Sequence, residues 1–141
     1  MTLPVMDWSK CKREFIRLVE IDEQRIQSII AKAQQRLKRA QNTLISAETV
    51  SFVVEDHYEV IKELLVAYLL RSGMRTSNHQ CLISYFYLKN PAYEKETMLM
   101  AQMSYFRNRL DYYGESIPLG FYDKNKQEFR RIIKVLEQLL L

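Results

Sequence analysis

The fold is decided by one continuous helical pattern, VSFVVEDHYEVIKELLVAYLL, which spans residues 50–70. Its apolar side chains form two stripes at helical spacing. One stripe contains Val50, Val54, Tyr58, Ile61, Leu65 and Tyr68, and the other contains Val53, His57, Val60, Leu64 and Ala67. A helix that is apolar on two adjacent faces packs against more than one neighbour. We therefore expect this helix to be the central element of a helical bundle and to end at Gly73.

Apolar residues at steps of three and four predict further helices on both sides of this central helix. They run from Asp7 or Ser9 to Leu44, from Ser77 or Asn78 to Asn90, from Tyr93 to Tyr113, and from Asp123 or Asn125 to the leucines at 139–141. Asp22 fills the one polar gap in the first of these helices. The chain contains only three Gly and three Pro, which favours an all-α fold. We expect a single domain over residues 1–141.

The composition excludes several classes of protein. The 141 residues are 48% hydrophobic and 27% charged, so the chain can bury a core and is not typical of disorder. The longest uncharged apolar run, from Leu64 to Leu70, is too short to span a bilayer, and no signal peptide is evident. Cys11 and Cys81 lack metal or redox spacing. We therefore expect two free thiols, no cofactor, no membrane contact and a cytoplasmic location.

Charge is distributed unevenly along the chain, although the net formal charge is only +4. Residues 24–47 contain five basic side chains and no acid, whereas residues 48–63 contain five acids and one base. A basic helix face attracts nucleic acid, but a charged run is also an ordinary solvated surface. The basic strip of the first helix is formed by Lys32, Arg36, Lys38 and Arg39. The sequence leaves both interpretations of this strip open.

Hydrogen-bonding side chains are concentrated in residues 107–114, Arg-Asn-Arg-Leu-Asp-Tyr-Tyr-Gly. Arg107 and Asp111 share a helix face and can form an ion pair, while Asn108 and Tyr112 share the next face. Arg107 and Tyr112 point roughly 140° apart on an ideal helix, so they converge only if the helix ends there or if two copies meet. Such a group can bind a phosphate or a nucleotide. The alternative is a helix end held by an ion pair, with tyrosines packed beside it.

The two histidines are candidates for a site or for the core. His57 lies within an apolar stripe, which is typical of a hydrogen-bonded histidine in a core or an interface. His79 lies on the apolar side of the short helix and either packs there or contributes to a site. Met98, Met100 and Met103 are typical of irregular core packing, and no metal site is expected.

Several stretches resemble HEPN domains, the helical family named for its occurrence in higher eukaryotes and prokaryotes. The resemblance covers most of the chain and rests on residues 58–65, Gly73, residues 77–85 and above all residues 107–114. It is strongest to stand-alone HEPN proteins of prokaryotes, especially archaea. It implies an up-and-down bundle of four to five helices that commonly dimerises. Many such proteins are encoded beside a minimal nucleotidyltransferase and act as the toxin of a toxin–antitoxin pair.

Many HEPN domains carry an Arg, then a polar residue, and a His a few residues later. Two copies of this motif meet in a cleft at the dimer interface and cleave RNA without a metal ion. By this resemblance Arg107 is the motif Arg, Asn108 is the polar residue, and Tyr112 stands where the His is expected. A phenol with a pKa near 10 is a poor base at neutral pH, whereas an imidazole near 6.5 serves well. Tyr112 can still contact a phosphate or stack on a base.

The resemblance predicts a homodimer that binds RNA or a nucleotide and works with a nucleotidyltransferase. The expected binding residues are Arg107, Asn108, Asp111, Tyr112 and Tyr113, with His57 and His79 as auxiliary candidates. One alternative is a metal-independent endoribonuclease in which Arg107 and Tyr112, or a displaced His, are catalytic. A second alternative is a pure protein-interaction module, in which the motif only holds the dimer together.

Overall fold

The computed structural model describes residues 4–141, and this part of the chain is mostly helical. The elements follow in the order α1 (Trp8–Glu14), β1 (Ile16–Leu18), α2 (Glu23–Asn42), α3 (Val50–Arg71), β2 (Met74–Thr76), α4 (His79–Lys89), α5 (Glu94–Tyr113) and α6 (Leu119–Leu139). The expected all-α class is thus confirmed, but the described residues form six helices instead of four to five, and two short strands were not predicted. None of the described helices is both long enough and apolar enough to cross a membrane.

Helix α3 is the central element, as the two apolar stripes predicted. It contacts α2, α4, α5 and α6. The side chains of both stripes are buried, except for Tyr68, which is half-buried. Burial of each large aliphatic side chain contributes about 1.5–3 kcal/mol, so this helix supplies a large part of the stability of the fold.

The long first helix predicted from Asp7 or Ser9 to Leu44 is wrong, because the chain leaves the helical conformation between α1 and α2. Residues 16–18 pair in antiparallel register with residues 74–76, with Ile16 opposite Thr76. Asp22, which fills the polar gap in the predicted helix, caps α2 by accepting a 3.1 Å hydrogen bond from the backbone N–H of Arg25. The pairing joins segments far apart in sequence, so local periodicity could not reveal it.

The uneven charge distribution is explained by the packing of α2 against α3. Arg36 Nε lies 2.9 Å from Glu63 Oε1, and Arg39 Nη2 lies 2.6 Å from Asp56 Oδ1. Ion pairs of Arg36 and Arg39 therefore join the basic segment to the acidic segment across the helix pair. Two of the four cations in the expected basic strip are paired with α3, which weakens the interpretation of that strip as a phosphate-binding surface.

Helix ends follow the expected signals in most places. The side chain of Asn78 caps α4 by accepting a 3.0 Å hydrogen bond from the N–H of Gln80. Gly114 ends α5 at φ 64°, a left-handed conformation that favours glycine. The predicted cap at Asp123 or Asn125 is wrong, because α6 begins at Leu119.

The early start of α6 has a packing reason. The ring of Phe121 lies 4.5 Å from the ring of Phe106 on α5, measured between centroids. The neighbouring Tyr122 is buried against α3, beside His57. These aromatic contacts make the first turn of α6 part of the core. The helix therefore begins at Leu119, directly after its N-cap residue Pro118.

Cys11 and Cys81 form a disulfide bond, so the expectation of two free thiols is wrong. Their Cα atoms lie 5.6 Å apart although 70 residues separate them in sequence. The bond joins α1 to the first turn of α4, where Trp8 also packs on Tyr85 with ring centroids 5.2 Å apart. No spacing motif marks this pair, because tertiary packing alone brings the two cysteines together.

Replacing both cysteines by serine should lower the free energy of unfolding by roughly 2–4 kcal/mol, because the bond closes a long loop in the unfolded chain. Chemical denaturation monitored by circular dichroism measures this difference. The unreduced wild-type protein should expose no reactive thiol in denaturant and two after reduction. Two reactive thiols before reduction would contradict the assignment.

Candidate functional site

Arg107 lies in the last two turns of α5 and faces carboxylates from two helices. Its Nε lies 3.1 Å from Asp111 Oδ2, which is the ion pair predicted within the helix. Its Nη2 lies 3.4 Å from Glu59 Oε1 on α3, a contact that the sequence did not predict. Among residues 4–141, no acceptor is aligned well enough to form a hydrogen bond with the buried Nε. The guanidinium thus retains unused donor capacity.

An open cavity of about 440 Å³ lies between the end of α5 and the beginning of α4. It is lined by Phe15, Ser77, Asn78, His79, Gln80, Ser104, Arg107, Asn108 and Tyr112. Its volume lies within the range of small-molecule sites. The first turn of α4 places the positive end of its helix dipole at this edge, and its capping residue Asn78 already accepts from the N–H of Gln80.

Arg107 and Tyr112 line the same cavity within a single chain. The helix ends at Tyr113, and the side chain of Tyr112 is 75% exposed. The two side chains were expected to converge only if the helix ended there or if two copies met. The helix does end there, so they line one cavity without a second copy. Asn108 lines the cavity beside them, and its Oδ1 accepts from Arg107 Nη1 at 3.4 Å.

His79 is brought into this cavity by the cap of α4, because it directly follows the capping residue Asn78. Burial lowers the pKa of His79 below its ordinary value. The positive charges of Lys62 and Arg107 lower this pKa further, whereas the charge of Glu59 raises it. The imidazole is therefore mostly neutral at neutral pH, and it can accept a proton there.

His57 lies in the core and is not among the residues that line the cavity. It is 3% exposed, and its Nδ1 lies 2.8 Å from the carbonyl oxygen of Val53. Its ring packs against Tyr122 and Phe129, and burial lowers its pKa. These contacts match the interpretation of His57 as a core histidine and remove it from the auxiliary candidates.

Glu55 on α3 extends the group of carboxylates around Arg107. Burial raises the pKa of Glu55 to about 7, and a hydrogen bond with Asp111 contributes to this rise. The charges of Asp111 and Glu59 raise this pKa further, whereas the charge of Arg107 lowers it. The carboxyl group of Glu55 therefore retains part of its proton near neutral pH.

Three residues that contribute to the site were missed by sequence reasoning. They are Glu55, Glu59 and Lys62, all on α3. Lys62 Nζ lies 2.5 Å from Glu59 Oε2, and Glu59 thus stands between Lys62 and Arg107. The signal that could have found them is their spacing of four and three residues, which places their side chains in one polar stripe along α3.

Tyr113 and Arg109 lie outside the residues that line the cavity. The guanidinium of Arg109 stands over the ring of Tyr113 at 4.3 Å and also pairs with Glu115. Tyr113 is 68% exposed. Of the expected binding residues, the cavity therefore includes Arg107, Asn108 and Tyr112, while Asp111 acts through its ion pair with Arg107.

The described residues contain no group of three or more His, Cys, Asp or Glu side chains arranged to hold a metal ion. Met100 and Met103 are buried in the core.

Comparison of the chain with protein-family models, with curated proteins and with solved structures found no match. Any functional assignment therefore depends on the geometry of this chain and on the resemblance of its residues to HEPN motifs.

The free energy of unfolding should fall as the pH rises from about 4.5 to about 7 and level off above. Glu55 retains a proton in the folded state that it loses in the unfolded state, so its stabilising contribution disappears as the pH rises through its folded pKa of about 7. Glu55→Gln should remove this decline and raise the melting temperature by roughly 2–4 °C at pH 8.

Thermal denaturation at several pH values measures the effect. Glu48→Gln is the matched control, because Glu48 is an exposed acid just before α3. Parallel curves for wild type and Glu55→Gln would contradict the raised pKa of Glu55.

Proposed function

We propose that this protein is a HEPN-like RNA-binding protein whose cavity between α4 and α5 holds the phosphodiester backbone. The observation that carries the proposal is the convergence of Arg107, Asn108, Tyr112 and His79 on one cavity. The residues of the HEPN-like motif thus face a space of suitable size, together with an imidazole from another helix.

The chemistry of the cavity suits a phosphate flanked by an unpaired base. Arg107 offers guanidinium donors, and guanidinium–phosphate contacts are strong and directional. The positive end of the α4 helix dipole lies beside the cavity and favours an anion there. Tyr112 is exposed, and its ring can stack on a base of single-stranded RNA.

A second candidate function is metal-independent cleavage of RNA, and the position of His79 favours it. In this reaction the 2′-hydroxyl oxygen bonds to the adjacent phosphorus, and the bond from phosphorus to the 5′-oxygen breaks. The neutral imidazole of His79 accepts the proton of the 2′-hydroxyl, and Tyr112 donates a proton to the departing 5′-oxygen. Arg107 stabilises the negative charge that develops on the phosphoryl oxygens. The imidazole missing from the motif is thus supplied by α4.

The proposal includes a homodimer and a minimal nucleotidyltransferase partner, as in the toxin–antitoxin pairs that the motif resembles. It also includes action in the cytoplasm. Disulfide bonds are rare in cytoplasmic proteins except in hyperthermophiles. The bond between Cys11 and Cys81 therefore agrees with a cytoplasmic location only in an organism of that kind.

Arg107→Ala should weaken the binding of single-stranded RNA by roughly 10- to 100-fold, because hydrogen bonds to charged groups contribute about 1.5–3 kcal/mol. Fluorescence anisotropy with a labelled oligonucleotide measures the affinity. Arg109→Ala is the matched control, since Arg109 lies on the same helix but outside the cavity lining.

Equal affinity of wild type and Arg107→Ala for the RNA would contradict the assignment of Arg107 to the binding site. Light scattering measures the molar mass of the same variant and tests the alternative of a pure protein-interaction module. A change in molar mass without any effect of RNA would favour a motif that only holds the dimer together.

The ribonuclease hypothesis predicts cleavage of RNA in the presence of EDTA, with products that end in a 2′,3′-cyclic phosphate. His79→Ala should slow cleavage by roughly 100-fold or more, because general acid–base catalysis contributes that much. Gel electrophoresis of labelled RNA measures the rate, and an oligonucleotide with a 2′-deoxy group at the cleaved position is the control. Absence of cleavage at every pH would remove this function and leave the binding proposal standing.

A further inference from the structure

We propose that the disulfide bond between Cys11 and Cys81 makes the cavity between α4 and α5 redox-sensitive, an inference that rests on the proposed function. The oxidised protein binds single-stranded RNA in this cavity, and reduction of the bond weakens the binding. The bond acts in this way because it joins two parts of the cavity lining that come from different segments of the chain.

Each cysteine is attached through the backbone to a different part of the lining. On the side of α1, the N–H of Phe15 donates a 2.8 Å hydrogen bond to the carbonyl oxygen of Cys11, and Phe15 lines the cavity. On the side of α4, the N–H of Cys81 donates a 3.0 Å hydrogen bond to the carbonyl oxygen of Asn78. Asn78 lines the cavity together with the two residues that follow it, the first of which is His79. The disulfide bond therefore holds the segment of Phe15 against the segment of His79.

Helix α1 depends on this bond more than the other helices do. Among its seven residues, only Cys11 is buried. Trp8 adds an aromatic contact to Tyr85 of α4, with ring centroids 5.2 Å apart. A helix of this length is too short to be stable by itself. Once the bond is broken, α1 retains the Trp8 contact and the neighbouring pairing of β1 with β2, but it loses its covalent link to α4.

Reduction of the bond is a thiol–disulfide exchange with a dithiol, either a small molecule or a protein. A thiolate of the dithiol attacks one sulfur of the pair, and the bond between Cys11 and Cys81 breaks. The second thiol of the reductant then releases the protein from the mixed disulfide. The dithiol thus becomes a disulfide, and its two protons end on the two cysteines. Because both cysteines are buried, the exchange proceeds through local opening of α1.

Reduction weakens binding because the ligand must then order part of its own site. In the oxidised protein, the segments that carry Phe15 and His79 are already held together when the ligand arrives. In the reduced protein, fixing these segments costs part of the binding free energy. Arg107 lies on α5, which the bond does not join, so its contacts to a phosphate are retained. We therefore expect a loss of affinity of roughly 5- to 30-fold, within the usual range of coupling between two sites.

The coupling is reciprocal, because a ligand that prefers the oxidised protein also stabilises the disulfide bond. Saturating RNA should therefore lower the reduction potential of the bond. For this two-electron couple, a tenfold difference in affinity corresponds to about 30 mV. A bond that stabilises the fold without affecting the cavity does not produce this shift.

The experiment uses the full chain and a labelled 2′-O-methylated oligouridine, whose backbone cannot be cleaved by its own 2′ oxygen. Fluorescence anisotropy measures its affinity for the oxidised protein, for the protein reduced with dithiothreitol and for the reoxidised protein. The affinity should fall roughly 5- to 30-fold on reduction and recover on reoxidation. Equilibration in dithiothreitol redox buffers, with and without the oligonucleotide, measures the reduction potential. Circular dichroism at the same temperature follows the helical content of both forms.

Two variants separate regulation of the cavity from a general loss of stability. The double variant Cys11→Ser and Cys81→Ser should bind with the affinity of the reduced wild type and should not respond to dithiothreitol. Leu139→Ala removes a side chain that packs against the core at the end of α6, outside the cavity lining. It should lower the stability but bind as tightly as the oxidised wild type.

Equal affinity of the oxidised and reduced wild type, or a reduction potential that RNA leaves unchanged, would overturn the inference and leave the proposed function standing. An equally large loss of affinity in Leu139→Ala would also overturn it, because destabilisation alone would explain the effect. Loss of the helical signal on reduction would have the same consequence, since the bond would then be a requirement of the whole fold. If neither form binds the oligonucleotide, the proposed function fails together with the inference.

Discussion

The burial of α3 among four other helices is the constraint on which the rest of the structure depends. Two apolar stripes of this helix fill the core, and its polar residues lie on two sides. Asp56 and Glu63 pair with α2, whereas the side that carries Glu55, Glu59 and Lys62 faces the end of α5. Because Glu59 contacts Arg107, the same packing that stabilises the fold also sets the position of the guanidinium at the cavity. Stability and the candidate site are therefore not independent.

The charge around Arg107 distinguishes this site from a simple phosphate-binding arginine. A guanidinium exposed to solvent attracts any polyanion, whereas Arg107 already faces Glu59 and Asp111. An anionic ligand must therefore compete with these carboxylates for the guanidinium. Among the described histidines, His79 is the one that lines this cavity beside Arg107.

Sequence periodicity predicted the central helix, the span of α5 and the ends of α4 and α5, because these depend on local signals such as Asn78 and Gly114. The same periodicity failed where distant segments meet. The helical spacing of apolar residues continued across residues 16–18, so it did not reveal the strand there. No local motif marked the disulfide bond between Cys11 and Cys81. In both places the deciding interaction joins residues more than 55 positions apart, and a pattern read along the chain does not contain it.

The sequence by itself determined that this protein is helical and that residues 107–114 concentrate its hydrogen-bonding chemistry. Those properties follow from spacing and side-chain type, which each segment carries with it. Only the tertiary structure decided which groups face that stretch. It brought His79 to the cavity and left His57 in the core, although both lie on apolar helix faces. The physical reason is that helical spacing gives the face of a residue, while packing alone decides what that face meets.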